Sequence, residues 1–287
     1  MTQLDSDALR AWVGKSETRH DVVDARPAAL LSATLDRDDA PPRRGDVLPP
    51  LWHWLYFLPE YRQSEVGPDG HARRGGFLPP VPLPRRMWAG SRIEWQRPLA
   101  IGDEVTRNSR IVSVTGKRGR SGDLVFVVVR HELSTPAGLA LSEEHDIVYR
   151  EAATPGADRD AAAPKPLSRA ISWQRRIVPD AVLLFRYSAL TFNSHRIHYD
   201  RRYVTEVEGY PGLVVHGPLL ATLLVDLLRR ERPEAALRSF EFRAVAPLFD
   251  VAPFEVCGAP EDDGVRISLW AQSSAGGLAM QATATLG

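Results

Sequence analysis

The sequence predicts an α+β fold made of two similar halves, each with a buried helix followed by antiparallel strands. The chain has 287 residues, which is long for one hydrophobic core and sufficient for two. Residues 151–168, EAATPGADRDAAAPKPLS, have the composition of a linker. They divide the chain into domain-sized parts, 1–150 and 169–287, whose apolar segments follow in the same order. This common order suggests an internal duplication.

The first half is predicted to place one short aromatic helix before its strands. The helix covers residues 51–58, LWHWLYFL, and ends at Pro59 because proline cannot continue a helix. Apolar alternation interrupted by Gly, Asp and Pro turns then predicts an antiparallel meander. Its apolar segments are residues 93–95, 102–105, 111–114, 124–133 and 139–149.

The second half has the stronger helix signal. Pro218 suits the first helical position, and leucines then recur at helical spacing as far as Leu228. Only Asp226 interrupts this apolar surface, so the helix has to be buried before Pro233 ends it. The strands that follow are predicted at residues 240–243, 254–256, 265–271 and 278–286. A curved antiparallel sheet around a buried helix is hot-dog architecture, so the two halves predict a double hot-dog.

Composition excludes several classes of protein. Lysine and arginine number 36, as do aspartate and glutamate, and this zero net charge argues against a nucleic-acid binder or a binder of anionic membranes. No run of about 18 apolar residues and no apolar signal core occur, so we expect a cytoplasmic protein without a membrane span. The single cysteine, Cys257, excludes an internal disulfide and a zinc site made of cysteines. Because 33 of the 36 basic residues are arginine, the composition also fits a GC-rich bacterial genome.

Polar side chains suited to chemistry concentrate between apolar runs. Residues 187–200, YSALTFNSHRIHYD, contain Asn193, His195 and His198, and His216-Gly217 lies directly before the apolar helix. Histidine carries protons near neutral pH, which suits His198 to general acid–base work. Asn193 can orient a water molecule but cannot take its proton. The N–H of Gly217 begins a helix and can stabilise a partial negative charge.

Other interpretations of these residues remain open from the residues alone. A histidine in an apolar neighbourhood is also typical of a hydrogen-bonded core residue, and Gly-Pro at a helix start is common turn chemistry. The histidine cluster could bind a metal ion, but no carboxylate or cysteine stands at a usual ligand spacing. We therefore predict no metal site.

Residues 193–200, NSHRIHYD, resemble the hydratase motif Asp-x-Asn-Pro-x-His-x-Asp of MaoC-like, (R)-specific enoyl-CoA hydratases. Residues 214–224, VVHGPLLATLL, resemble the His-Gly start of the hot-dog helix in that family. The segments RRGDVLPPLWHWLYFLP and GGFLPPVPLPRRMWAGSRIEW look like a two-domain branch whose N-terminal half resembles the dehydratase domain of fungal-type fatty acid synthase. That branch includes mesaconyl-C4-CoA and itaconyl-CoA hydratases and mitochondrial-type 3-hydroxyacyl-thioester dehydratases. The resemblance covers nearly the whole chain.

The resemblance places catalytic roles on individual residues. His198 matches the catalytic histidine, and Gly217 matches the glycine of the oxyanion hole. Asn193 stands at the catalytic aspartate, and His195 and Arg196 replace the motif's Asn and Pro. Either His198 works alone while Asn193 holds the water, which we prefer, or His195 supplies the missing basicity.

The first half has no comparable motif. Pro49 stands where Gly217 stands in the second half, and proline has no N–H to donate. The resemblance therefore implies one active site per chain, with the first half completing a pseudo-dimer, lining the acyl pocket and holding part of the CoA. The aromatic run 52–57 could line an acyl tunnel, although core packing is the simpler interpretation. We expect a monomeric pseudo-dimer or a homodimer.

The implied function is reversible hydration and dehydration of α,β-unsaturated and 3-hydroxyacyl-CoA thioesters, without a metal or redox cofactor. A short dicarboxylyl-CoA, such as mesaconyl-C4-CoA or itaconyl-CoA, is one candidate substrate, and Arg196 could pair with its distal carboxylate. Arg186, Arg243 and His216 are further candidates for binding substrate or CoA. The alternatives are a 3-hydroxyacyl-ACP dehydratase, a hot-dog thioesterase that would need a carboxylate such as Asp226, and a non-catalytic acyl-CoA-binding subunit.

Overall fold

One antiparallel sheet of ten strands organises the part of the chain that the structure describes. The structure is a computed structural model, and it describes residues 6–119, 122–151 and 169–287. The strands of the first half are β1 (Ser16–Val22), β2 (Arg85–Trp95), β3 (Glu104–Gly119), β4 (Gly122–Thr135) and β5 (Gly138–Arg150). Those of the second half are β6 (Trp173–Ile177), β7 (Leu237–Ala244), β8 (Phe254–Pro260), β9 (Arg266–Ser273) and β10 (Leu278–Leu286).

The strand order shows the same arrangement twice. From one edge of the sheet to the other it is β1-β3-β4-β5-β2-β7-β10-β9-β8-β6, so the second half repeats the first in reverse across the β2–β7 junction. At that junction Gly90 to Glu94 pair with Arg243 to Ser239. This order supports the predicted duplication. The predicted meanders are confirmed for β3-β4-β5 and β8-β9-β10, whereas β2 and β7, expected as the first strands of the meanders, pair with β5 and β10 instead. Residues 152–168 of the predicted linker lie outside the described residues, so the predicted domain boundaries stay predictions.

Four α-helices accompany the sheet in the described residues: α1 (Ser6–Arg10), α2 (Ala25–Thr34), α3 (Ala181–Leu190) and α4 (Gly217–Glu231). Helix α4 is the predicted buried helix, and every residue from Leu219 to Leu228 is buried. It packs against the strands of the second half. Within the described residues, no helix combines the length and apolar character needed to cross a membrane.

The predicted helix at residues 51–58 is wrong, because only a single 3-10 turn, Trp52–Leu55, forms there. The backbone φ angles of Leu51 and Phe57 are 69° and 55°, which lie in the left-handed region that an α-helix excludes. The Phe57 N–H donates to the Asp21 carboxylate at 2.6 Å rather than to a helical carbonyl. Contacts with β1 therefore override the local helix pattern.

Helices α2 and α3 occupy equivalent places in the two halves and were not predicted. Each begins after an aspartate whose side chain caps the helix. The Asp24 carboxylate accepts the Arg26 N–H at 2.7 Å, and the Asp180 carboxylate accepts the Leu183 N–H at 2.8 Å. The two helices pack against each other, which adds a second contact between the halves beside the β2–β7 junction.

A buried charge cluster also joins the halves. The Asp226 carboxylate, only 1% exposed, accepts hydrogen bonds from Arg37 at 2.7 Å and from Arg175 and Arg230 at 2.8 Å each. Arg175 and Arg230 also donate to the Leu35 carbonyl at the end of α2. The one acidic residue of the apolar helix surface is therefore engaged in holding α4 to the first half.

Candidate active site

The loop between α3 and α4 carries the residues that the sequence analysis singled out. It contains a 3-10 turn, Arg196–His198, followed by a π-helical turn, Tyr203–Val207. The Asp200 carboxylate accepts the Tyr203 N–H at 3.0 Å and fixes the start of the second turn. These two turns bring His198 into the buried region beside the start of α4.

His198 is held in one orientation and in its neutral form. Its Nδ1 lies 2.7 Å from the Val214 carbonyl oxygen, which can only accept, so Nδ1 carries the proton. Burial lowers the pKa of His198 to about 4, although this hydrogen bond opposes the shift. The Nε2 atom of a neutral, Nδ1-protonated imidazole keeps a lone pair, which is the state that a general base requires.

His216 packs against His198, and neither residue is among those that line the cavity beside this loop. The two imidazole rings stack with centroids 3.7 Å apart and planes at 17°. The Nε2 atom of His216 lies 2.8 Å from the Ser188 hydroxyl of α3, and burial holds the His216 pKa well below its ordinary value. This geometry makes His216 a neutral support for His198, whereas its predicted contact with substrate stays untested.

Asn193 lines the cavity, and its side-chain oxygen accepts a hydrogen bond from a nearby backbone N–H. The Asn193 Oδ1 accepts the His195 N–H at 3.0 Å. The Asn193 Nδ2 group makes no hydrogen bond within the described residues and can donate to an added water. His195 is half-buried, and its pKa is lowered to about 2, mainly by desolvation and then by His71 and His198. A group that is so hard to protonate gives little support to the alternative in which His195 supplies the basicity.

Gly217 begins α4 as predicted. The first amides of a helix have no carbonyl partner inside it, and no side chain caps this N-terminus. A Cβ at Gly217 would have the Trp88 carbonyl oxygen as its nearest neighbour, at 3.9 Å. That distance is an ordinary van der Waals contact with the backbone of β2, and the missing Cβ at Gly217 leaves the start of the helix, where the helix dipole favours negative charge, less crowded.

A loop of the first half, residues 66–73, packs directly on the loop between α3 and α4, which is called the catalytic loop because it carries the candidate catalytic residues. The Arg196 N–H donates to the Asp69 carbonyl at 2.9 Å, and the Ser194 hydroxyl donates to the Gly70 carbonyl. Gly70 has a φ of 90°, and a Cβ on it would overlap the Ser194 carbonyl oxygen. The contact thus requires glycine at position 70 for both conformation and space.

Gly70→Ala is expected to lower kcat/KM by at least about 10-fold, because displacement of catalytic groups by about 1 Å is enough for losses of this order. The added methyl group would push the catalytic loop away from residues 66–73. Gly45→Ala is the matched control, since Gly45 has a φ of 92° but nothing within 4 Å of its Cβ position. Steady-state kinetics should separate the two variants, and equal losses in both would contradict the steric explanation.

His71 extends from the same loop into the site. Its ring packs against the ring of His195 with centroids 3.9 Å apart, and its Nδ1 lies 3.1 Å from the Asp69 carboxylate. Asp69, His71 and His195 each place one ligand atom within 4.8 Å of the others, so they could hold a metal ion. However, the side chains of Asp69 and His71 already form a hydrogen bond with each other. The positive charge of Arg86 also contributes to lowering the pKa of His71 and of His195. A neighbouring positive charge disfavours a cation at this place.

A cavity of about 500 Å³ runs beside the catalytic loop and is lined by both halves. It reaches Asn193 and Pro218, the residue after Gly217. In the first half it is lined by part of the aromatic run 52–57, by residues 71–79 and by side chains of β1 to β5. Tyr56 and Phe57 are buried and also line the cavity, so both interpretations of the aromatic run hold in part.

The cavity wall in the first half contains a polar cluster that the sequence analysis missed. The buried Glu143 carboxylate lies 3.0 Å from His53 Nε2, 2.6 Å from His145 Nε2 and 3.1 Å from Trp54 Nε1. Burial alone would raise the Glu143 pKa, but the two histidines hold it well below its ordinary value. Ninety residues separate His53 from Glu143, so no local spacing could reveal this cluster.

The structure does not bring the three candidate arginines into the cavity. Arg196 donates to the Asp200 carboxylate at 2.8 and 3.0 Å and to the Pro68 carbonyl at 3.0 Å, so its charge is already paired. Arg186 and Arg243 are exposed and lie outside the cavity lining. A role for these two in binding CoA phosphates stays a prediction.

Comparison with known proteins connects this site to a family. The model of the family Hydroxyacyl-thioester dehydratase type 2 matches residues 51–250, which include the catalytic loop and the start of α4. The chain belongs to this family. The mesaconyl-C(4)-CoA hydratase of Chloroflexus aurantiacus is 49% identical over 287 residues, covering 99% of this chain and 100% of that protein. The family predicted from the FNSHRIHYD and VVHGPLL segments is thus confirmed.

Solved structures of this fold confirm the predicted α+β double hot-dog. A MaoC-like dehydratase superposes with a TM-score of 0.70 at 16% identity, covering 96% of this chain and 98% of that one. A Mycobacterium tuberculosis protein described as having a double hot-dog fold gives a TM-score of 0.58 at 14% identity, with 96% of each chain covered. At these identities the likeness concerns the fold and not the reaction.

Proposed function

We propose that the chain catalyses reversible hydration of an α,β-unsaturated acyl-CoA thioester, with a short dicarboxylyl-CoA of the mesaconyl-C4-CoA type as substrate. The observation that carries this proposal is the neutral, oriented imidazole of His198 beside the uncapped start of α4. The 49% identity to a mesaconyl-C(4)-CoA hydratase over the whole chain supports the choice of substrate.

Each residue has a defined part in the proposed reaction. The Gly217 N–H donates to the thioester carbonyl oxygen as it gains enolate character. His198 Nε2 takes a proton from water while the water oxygen bonds to the β-carbon, and the imidazolium then gives a proton to the α-carbon of the enolate. In the reverse direction Nε2 takes the α-proton and gives it to the leaving hydroxyl, which departs as water. Asn193 Nδ2 donates to the water oxygen and orients its attack. The thioester already acidifies the α-carbon, so the reaction requires no metal or redox cofactor.

Two features of the chain weigh against the rival functions. A thioesterase would need a free carboxylate near α4, but Asp226 is engaged with three arginines. Burial raises the pKa of the Cys257 thiol to about 12, so it is no thiolate nucleophile at neutral pH. A cytoplasmic location, as expected from the sequence, is part of the proposal. One active site per pseudo-dimeric chain is part of the proposal.

The deciding experiment is a spectrophotometric assay of the enoyl-thioester band with crotonyl-, mesaconyl-C4-, itaconyl- and long-chain enoyl-CoA. We expect loss of the band without release of free CoA, and the highest kcat/KM with a dicarboxylyl substrate. Release of free CoA would instead identify a thioesterase. Binding without turnover of any substrate would identify a silent acyl-CoA-binding subunit. Turnover only when the same acyl groups are supplied on acyl carrier protein, as a second panel, would identify a 3-hydroxyacyl-ACP dehydratase.

The pH dependence of kcat/KM tests the protonation state of His198. A histidine with a lowered pKa keeps its neutral form above that pKa and loses it as the pH falls through it. With a pKa of about 4 for His198, kcat/KM should stay constant down to about pH 5 and fall at lower pH. An exposed histidine in the same role would make kcat/KM fall near pH 6.5. Recovery after return to pH 7 and circular dichroism exclude acid unfolding. An acidic limb centred near 6.5 would contradict the buried, neutral histidine.

A further inference from the structure

We propose that Arg86 binds the free carboxylate of the substrate and thereby selects dicarboxylyl-CoA thioesters. This inference rests on the proposed function and names the residue that reads one part of the substrate. Arg86 lies on β2 and lines the same cavity as Asn193. Among the described residues it has no carboxylate partner, whereas Arg85 next to it pairs with Glu208 at 3.1 Å.

The strand pattern places Arg86 next to the reacting centre. Side chains two residues apart on a strand point to the same face, so Arg86 and Trp88 both face the cavity. The Trp88 carbonyl is the nearest atom to the Cβ position at Gly217. Arg86 therefore lies on the cavity side of the strand that passes the start of α4, two residues from Trp88.

The neighbours of Arg86 leave its charge uncompensated. Tyr149 is its antiparallel partner on β5, and the Arg86 guanidinium contacts the Tyr149 hydroxyl. Its positive charge also reaches the rings of His71 and His195. The two carboxylates of the site are engaged elsewhere, Asp69 with His71 and Glu143 with His53 and His145, and neither forms an ion pair with Arg86 among the described residues. An anionic group of the substrate would supply the missing partner.

The other arginines of the cavity fit this role less well. Arg19 pairs with Glu17 at 3.4 Å, and Arg74 donates to the carbonyls of Val81 and Pro84. Arg73 is exposed at the loop 71–77. These groups are paired or face solvent, where they suit the phosphates of CoA better than a carboxylate inside the cavity.

Arg107 is also unpaired, but it lies at the far end of the cavity. It sits over the Phe57 ring at 4.8 Å, on β3, two strands beyond β5. The rings of Trp88, His145 and His131 follow one another between the two ends, with centroid separations of 4.2 and 4.5 Å.

The size of the substrate decides between the two ends. In a trans four-carbon unit the carboxylate carbon lies about 4 Å from the thioester carbon, as do atoms three bonds apart across a trans peptide. A carboxylate so close to the thioester can reach the Arg86 side of the cavity while its carbonyl stays at Gly217. It cannot reach Arg107 past the intervening rings.

The test compares mesaconyl-C4-CoA with crotonyl-CoA, which lacks the carboxylate. Arg86→Gln should lower kcat/KM for mesaconyl-C4-CoA by about 10²-fold and leave the value for crotonyl-CoA within about 3-fold. Arg86→Lys keeps the charge but lacks the planar guanidinium group. Its kcat/KM for mesaconyl-C4-CoA should lie between those of the wild type and Arg86→Gln. Arg238→Gln, an exposed arginine on β7, is the control that should change neither value.

Binding without turnover separates this inference from the proposed reaction. Calorimetry can compare His198→Asn protein with and without the additional Arg86→Gln substitution. The substitution should weaken the binding of mesaconyl-C4-CoA but not that of crotonyl-CoA. This result is expected even if the wild-type chain hydrated neither compound. Absence of hydration by the wild type would overturn the proposed reaction alone. Equal losses for both thioesters would assign Arg86 to CoA or to the fold, and unchanged binding of mesaconyl-C4-CoA would overturn the inference directly.

Discussion

His198→Asn is expected to lower kcat for enoyl-CoA hydration by about 10²–10⁴-fold, the range typical of a lost general acid–base group. Asparagine can still donate to the Val214 carbonyl that now lies 2.7 Å from Nδ1, but it cannot take a proton from water. The fold should survive because a polar side chain of similar reach replaces the ring. KM should change little, since His198 acts on the water and not on the bound thioester.

The control for this variant is His20→Asn. His20 is exposed on β1, where its Nδ1 lies 3.0 Å from the Thr106 hydroxyl, and its replacement should leave kcat unchanged. Circular dichroism on both variants checks that the loss is chemical. Full hydratase activity in His198→Asn would refute the mechanism, whereas loss in both variants would indicate a general sensitivity to substitution.

Asp226→Asn is expected to lower the free energy of unfolding by about 3–5 kcal/mol, as is typical when one partner of a buried ionic cluster is removed. The carboxylate is 1% exposed and forms ion pairs with Arg37, Arg175 and Arg230, of which Arg37 also pairs with Asp39. The amide would leave three guanidinium groups around a neutral side chain. For a protein of this size the melting temperature should fall by about 10 °C.

Urea unfolding of Asp226→Asn and of a matched control measures this effect. Asp262→Asn is that control, because Asp262 is exposed and forms no ion pair among the described residues, so its midpoint should stay unchanged. Hydratase activity of folded Asp226→Asn at low temperature should also stay close to the wild-type value. Unchanged stability together with lost turnover would instead place Asp226 in the chemistry and revive the thioesterase alternative.

The parts of the fold that the sequence predicted correctly are those in which the local pattern and the tertiary environment agree. Leucines at helical spacing, Pro218 at the start and Pro233 after the end marked α4, and its all-round burial satisfies that pattern. The aromatic run 51–58 matches a helix equally well by composition, yet the hydrogen bond from Phe57 to Asp21 draws it out of the helix. That partner lies 36 residues away, beyond the reach of any window used for helix periodicity.

The residues of the candidate site also fall into two groups, those that a local sequence motif locates and those that only the tertiary structure reveals. His198, Asn193 and Gly217 lie in two short motifs, so the sequence could locate them before any contact was known. Gly70 and His71 lie in a segment without periodicity or motif, and only the packing of residues 66–73 on the catalytic loop reveals them. Arg86 lies in a segment that carries the family resemblance, but only the lining of the cavity singles it out. Asp24 and Asp180 were readable helix caps that the sequence analysis passed over.

The short helical turn of the first half has a consequence for the evolution of the two halves. Helix α4 has 15 residues and a length of about 22 Å, whereas its counterpart is a turn of 4 residues, roughly 8 Å long. In a symmetric homodimer every substitution occurs twice, so shortening one helix would also delete the amide of the other copy. In a fused chain the two copies mutate separately. Room for new substrates can therefore arise in the first copy while the proton-transfer residues of the second remain intact.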